Sequence, residues 1–266
     1  MTIHARWARV MGQIIGFALV VVLLMPAFAQ AADISDEAKV KFNSAVEFAT
    51  AKKPDSAIAA YEAAISLAPD YLQAHINVGA LYYDKGDMTQ AAEHLNKAVS
   101  LDSNNVAALK SLGLVHFKAD RYADAVAALN HHNALDKTDA GVWSTLGLAH
   151  KKLGDDAKAL AAYEEAVRLD PKDYKTFYNI GNIHQEAKDF EDAIGAYSKA
   201  IAVNSGYIEA YYNKAISSHQ LDQDACVPDY EAFIKAAQGK AKWKKQVDQA
   251  SQIVKQIKEY LDSQGE

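Results

Sequence analysis

The sequence predicts an all-α protein built as a linear array of one repeated unit, and three observations carry that expectation. The first is composition: the chain is half hydrophobic, has only five prolines in 266 residues, and is rich in Ala, Lys, Glu and Leu. Its valines and isoleucines are scattered and do not gather into alternating runs of strand length. The second is a column of glycines, Gly79, Gly113, Gly147 and Gly181, each 34 residues after the last, which Ala45 and Ala215 continue on either side. The third is that other columns run in the same phase. Ala57, Ala91, Ala125, Ala159 and Ala193 form one, and Tyr61, Leu95, Leu129, Tyr163 and Tyr197 form another. A fourth holds Ala64, Ala98, Ala166 and Ala200, with His132 as its exception. Pro69 and Pro171 fall near repeat ends.

A 34-residue unit with these columns resembles the tetratricopeptide (TPR) repeat. Trp143, Leu146, Gly147, Ala159, Tyr163, Ala166 and Pro171 match the family pattern most fully, with His150 at an aromatic position. The resemblance covers residues 38 to about 239. It implies a right-handed α-solenoid of antiparallel helix pairs. It also gives a reason for glycine inside a helix, where it costs roughly 1 kcal/mol relative to alanine: these are the places where neighbouring helices approach most closely. Gly195 has no equivalents at the other repeats and reads as a tolerated exposed glycine.

In chain order, residues 1–29 read as a signal peptide. His4, Arg6 and Arg9 precede the apolar run Val10 to Met25, and Ala27-Phe28-Ala29 supplies a small-x-small cleavage site, with Ala31 as the second choice. The alternative is an uncleaved membrane anchor formed by residues 10–28. Cleavage removes two arginines and no acid, which leaves 26 bases against 34 acids. Residues 30–37 read as a flexible leader. Six units follow over 38–239, beginning near Ala38, Leu72, Val106, Ala140, Tyr174 and Ile208. Asp87, Asp155 and Asp189 stand where N-caps of second helices belong. In the sixth unit Cys226, Tyr230 and Phe233 enter the columns only after a one-residue deletion, with Pro228 in the first turn of its second helix. Residues 240–266 read as a capping helix, with Trp243, Val247, Ala250, Val254, Ile257 and Leu261 at helical spacing.

The resemblance implies a concave groove lined by the first helix of each unit. Position 6 of the unit gives Asn43, Asn77, Ser111, Thr145, Asn179 and Asn213. Such a ladder of amides and hydroxyls can both donate to and accept from a peptide backbone. Lys110 and Lys175 add inner positive charge that suits an acidic segment of a partner. Lys118, Lys151 and Lys152 are inner too, but lie in last helical turns, where lysine suits the dipole. Tyr178 and Tyr212, with Tyr83, Phe42 and Phe117, are candidate aromatic anchors. Chaperone-type TPR domains grip a terminal carboxylate with a five-residue set. Tyr178, Asn182, Asn213, Lys242 and Gln246 stand at those places, so the first lysine and the final arginine of the set are missing.

Other chemistry finds little footing. His116, His150 and His184 form a column, but stacked equivalents lie roughly 10 Å apart, while a shared metal needs ligands about 2 Å away. No metal site or catalytic residue is expected, and no phosphate loop, dinucleotide fingerprint or haem-attachment motif implies a cofactor. Cys226 is the only cysteine, so no disulfide can form within one chain. A net charge of −6 disfavours nucleic acid. The expected function is that of an exported, non-enzymatic scaffold or adaptor, periplasmic or secreted, which binds a peptide segment or partner protein during assembly of an envelope complex. The alternatives are structural self-assembly through the start of the first unit, or a histidine-based metal sensor or enzyme.

Overall fold

The structure, a computed structural model, describes residues 34–264, and these form thirteen α-helices with no strand among them. The proposed signal peptide and the first half of the leader, residues 30–33, lie outside the described residues. The chain divides into two compact units, up to Asp136 and from Lys137. The division falls just after the repeat whose fourth column holds His132 in place of alanine.

The first unit contains α1 (Asp36–Thr50), α2 (Pro54–Leu67), α3 (Leu72–Lys85), α4 (Met88–Leu101), α5 (Val106–Lys118) and α6 (Tyr122–Leu135). Helices pair as α1–α2, α3–α4 and α5–α6, and the pairs stack through α2–α3 and α4–α5. The first helices α3 and α5 also touch, so they lie side by side on one face. The second unit contains α7 (Ala140–Lys152), α8 (Asp156–Leu169), α9 (Tyr174–Ala187), α10 (Phe190–Val203), α11 (Ile208–Leu221), α12 (Val227–Ala237) and α13 (Lys244–Gln264). Its pairs α7–α8, α9–α10 and α11–α12 stack in the same way, α9 and α11 touch, and α13 packs on α12. This is an α-solenoid of helix pairs.

Start signals operate as local chemistry requires. Ser35, Asp87, Asn105, Asp139, Asp155 and Asp173 each accept a backbone N–H of the first helical turn. Asp189 is the N-cap residue of α10 but makes no such bond; its carboxylate lies 3.8 Å from His184 Nδ1 instead. The first helix begins at Asp36, two residues before the expected Ala38, because the Ser35 side chain caps it there.

Between the two helices of a pair the chain turns through a left-handed residue: Lys52, Gly86, Asp120, Gly154 and Lys188, with φ of 57°, 86°, 57°, 79° and 66°. These positions are also 34 residues apart. Glycine occupies two of the five, so the column is hard to see in the sequence. Lysine or aspartate there takes a conformation that costs roughly 1 kcal/mol or more, since Cβ crowds the following carbonyl.

The glycine column has a sharper cause than helix approach in general. A Cβ added to Gly79 would lie 2.8 Å from Leu95 Cγ, and at Gly113 it would lie 2.3 Å from Leu129 Cδ2. At Gly147 and Gly181 it would strike the rings of Tyr163 and Tyr197, both at 2.5 Å. Each clash partner stands 16 residues on, in the paired helix, and each is buried to 1% exposure or less. One large side chain per pair is therefore seated directly on a backbone from which the side chain has been removed. Gly195 has open space around its missing Cβ.

These surroundings predict opposite signs for one substitution. Gly181→Ala should lower the stability of the second unit by about 1–3 kcal/mol through overpacking on Tyr197. Gly195→Ala should raise it by up to about 1 kcal/mol by improving helix propensity. Urea unfolding midpoints of the two variants, followed by circular dichroism, check the contrast.

Candidate functional site

The side-by-side first helices define the candidate face in each unit, and the position-6 residues show how it is built. Asn77, on α3, donates its amide to the Tyr61 hydroxyl of the preceding pair at 3.1 Å. Both residues are buried. In the second unit Asn179 donates to the Tyr163 hydroxyl. Asn213, on α11, lies within hydrogen-bond distance of three oxygens: Asn182 Oδ1 at 3.0 Å, Tyr178 at 3.1 Å and Tyr197 at 3.5 Å. The register is the same each time, because Asn77, Asn179 and Asn213 stand 16 residues after Tyr61, Tyr163 and Tyr197. Where the column holds Leu95 or Leu129, the residue 16 later is Ser111 or Thr145, which has no carboxamide to offer. Ser111 is buried, and the Thr145 hydroxyl donates to Gly141 O within its own helix at 2.8 Å. Asn43, in the first pair, has no preceding tyrosine and is exposed.

Asn77, Asn179 and Asn213 thus clasp their helix pairs to the ones before them. A buried phenol oxygen without a partner would cost about 1–3 kcal/mol, and the carboxamide supplies that partner. Burial disfavours the phenolates and pushes the Tyr61 hydroxyl up to about 12; the Asn77 amide moderates this by donating to the charged form. Tyr163 and Tyr197 are raised further for the same reason.

In the second unit the clasp opens into a wider polar network on α9, α10 and α11. The Tyr197 hydroxyl oxygen lies 2.8 Å from Asn182 Oδ1 and 2.6 Å from Gln185 Oε1, two alternative acceptors for its one proton. Tyr178, Asn182, Gln185 and Asn213 are half-buried. Tyr178 packs its ring against Tyr197 at 5.7 Å and edge-on to Tyr207 at 5.1 Å, and Tyr174 meets Tyr207 at 4.8 Å. These side chains remain reachable while their geometry is fixed by one another.

The other sequence-selected residues take varied places. Tyr212 packs against Phe233 and Trp243 at the junction with α13. Phe42 stacks on Tyr71 at 4.8 Å. Lys110 is half-buried, and Lys175 is exposed with its ammonium 6.0 Å from the Tyr174 ring centroid. Lys151 is neutralised by Asp156 at 2.9 Å and Glu186 at 2.6 Å. Lys118 lies over the Tyr83 ring at 4.5 Å. Of the carboxylate-grip positions, Tyr178, Asn182 and Asn213 come together, while Lys242 pairs with Glu209 at 3.1 Å and Gln246 Oε1 is buried without a partner.

His116 and His150 are buried, and burial lowers both below the ordinary histidine range. His184 is half-buried. Among the described residues no group of three His, Cys, Asp or Glu is placed to hold a metal. No sequence pattern points to the pair His75 and His94, whose Nδ1 atoms lie 3.1 Å apart. His75 Nε2 meets the Pro69 carbonyl at 3.0 Å and must donate there, so its Nδ1 accepts the proton of His94. Neither histidine lies on one of the 34-residue columns, so their meeting could be found only from the fold.

Helix pairs joined by these clasps define a tetratricopeptide scaffold. The chain belongs to the family described as the cilia and flagella-associated protein 70 C-terminal domain, whose model matches residues 25–216. Among curated proteins none matches. Solved structures of similar fold include the MamA protein, at 25% identity over 65% of this chain and 94% of that one, with a TM-score of 0.61. Another is YrrB, described as a TPR protein with an unusual peptide-binding site, at 18% identity, 71% and 97% coverage and a TM-score of 0.62. A third is pilF of Pseudomonas aeruginosa, at 16% identity, 80% and 98% coverage and a TM-score of 0.63.

The titrating groups fix the pH range of stability. The tyrosine protons are held more tightly in the folded chain, so their contribution is complete below pH 10 and is lost as pH rises toward 12. The buried histidines have the opposite sign: unfolding takes up protons, so stability falls as pH drops below about 6.5. Tyr61→Phe should flatten the alkaline limb by about 2 kcal/mol, an effect that urea melts between pH 8 and 12 would reveal.

Proposed function

We propose that this chain is an exported scaffold that holds a segment of another protein along its first-helix face. The observation that carries the reading is the half-buried network of Tyr178, Asn182, Gln185 and Asn213 around the buried Tyr197 hydroxyl, which offers fixed neutral donors and acceptors at a reachable surface. Polar groups already ordered by one another bind a peptide backbone without a large further loss of side-chain entropy. Asn43, Thr145 and Asn179, with Lys110, Lys175 and Tyr212, extend the same face within their own units, and the lysines favour a segment bearing carboxylates. Asn77 and Ser111, being buried, serve that face by shaping it. YrrB supports the reading by analogy of fold, being described as having a peptide-binding site. Export rests on residues 1–29. No described helix is long and apolar enough to cross a membrane.

Site-specific photo-crosslinking tests the reading without disturbing the clasps. A benzoylphenylalanine placed at exposed Lys175 should capture a partner polypeptide in the native envelope, whereas one at exposed Glu191, on the second helix of the same pair, should not. Equal adducts from both positions would defeat the proposed face. Amino-terminal sequencing of the purified protein should begin at Gln30, and recovery of an intact Met1 start would defeat cleavage.

A further inference from the structure

Positive charge is concentrated at one end of this acidic protein. Residues 235–258 contain seven lysines and a single acid, Asp248, although the whole chain carries a net charge of −6. Four of the seven are paired: Lys242 with Glu209, Lys244 with Asp248, Lys255 with Glu259 and Lys258 with Glu231. Among the described residues none pairs with Lys235 or Lys240.

Those two lysines flank a cleft of about 620 Å³ between the end of α12, the turn after it and the start of α13. Its apolar lining is Ile234, Ala237, Ala241 and Val247, and its one acid, Glu231, is neutralised by Lys258 at 2.6 Å. The turn is held in shape rather than loose. Gly239 adopts φ of 73°, the Lys240 amide donates to Ala237 O at 3.0 Å, and the Trp243 ring is wedged against Phe233 and Tyr212 at 5.7 and 5.6 Å. None of the lining residues belongs to the first helix of a repeat, so this cleft is separate from the face described above.

We propose that the α12–α13 cleft is a second binding site, which takes a protein segment carrying an apolar side chain flanked by carboxylates. The floor removes the apolar group from water, at about 25 cal/mol per Å² buried. The unpaired ammonium groups of Lys235 and Lys240 meet the carboxylates on either side. Concavity selects a peptide over a lipid surface, because a bilayer is gripped by apolar side chains that protrude into it, and here the apolar atoms line a hollow. The lysines also raise the encounter rate with acidic partners in an otherwise repelling field.

The test uses the full mature chain and fluorescence anisotropy with a fluorescein-labelled Asp-Glu-Leu-Glu-Asp peptide. Binding is expected, weaker at 0.5 M than at 0.05 M salt. It should fall at least tenfold when leucine is replaced by serine, or the acids by their amides. Lys235→Glu with Lys240→Glu should also weaken it at least tenfold. Lys41→Glu with Lys53→Glu, the same charge change elsewhere, should weaken it less than twofold. Undiminished binding by the Lys235/Lys240 variant, at an unchanged melting temperature, would overturn the proposal. So would equal affinity for the serine peptide. Binding of phosphatidylglycerol vesicles through Lys235 and Lys240 without binding of the peptide would overturn it in favour of a membrane surface. Loss of binding by Lys175→Glu alone would place the peptide on the first-helix face and refute the cleft.

Discussion

Five helix pairs each seat one large buried side chain, Tyr61, Leu95, Leu129, Tyr163 or Tyr197, and the tyrosines among them are held from two directions. Sixteen residues before each in the chain the backbone carries glycine or alanine, which makes room for the ring or branched chain. Sixteen residues after the tyrosines comes an asparagine that satisfies the buried hydroxyl. The first contact fixes how two helices of a pair meet, and the second fixes how the next pair docks. Tyrosine suits both because its ring is apolar and its tip is polar. With leucine in its place the apolar seat remains but the hydroxyl is gone, and the asparagine goes with it. The clasp thus varies along the chain between a packed form and a packed, hydrogen-bonded form.

The same economy shapes the face available to partners. The carboxamides of Asn77, Asn179 and Asn213 are partly engaged with tyrosines of the preceding pair, so their remaining lone pairs and N–H groups point in directions that the clasp dictates. This favours a rigid, pre-ordered surface over a flexible one. It also means that removing an asparagine confounds stability with binding, and that function is better probed at exposed lysines and tyrosines that take no part in the clasp. The cap helix introduces a different surface, basic and locally apolar, where the repeat pattern has ended.

Helix content, repeat length and most helix starts were legible because each rests on local rules or on a column that recurs without exception. The starts at Leu72, Val106, Ala140, Tyr174 and Ile208 agree with the structure for that reason. The left-handed column was missed because Lys52, Asp120 and Lys188 hide a conformational requirement that only Gly86 and Gly154 advertise. The position-6 column was visible as a pattern of residue types, but its hydrogen-bonding partner lies in another helix, and periodicity alone does not say which way a side chain faces. The His75–His94 contact and the basic cleft fall outside the columns. They arise where helices from different positions happen to converge, so they become visible only in three dimensions. The sixth pair and its deletion were readable since Tyr230 and Phe233 kept their buried roles, and Pro228 kept to the first turn of α12.

The account rests on tyrosine and asparagine acting as a coupled pair, and a double-mutant cycle on Tyr61 and Asn77 tests that most directly. Tyr61→Phe, Asn77→Ala and the double variant would be unfolded in urea at pH 7 beside the parent chain. The account predicts a coupling energy of about 1 kcal/mol or more, since either change alone strands a buried polar group while the pair of changes removes both. Strictly additive losses would contradict it.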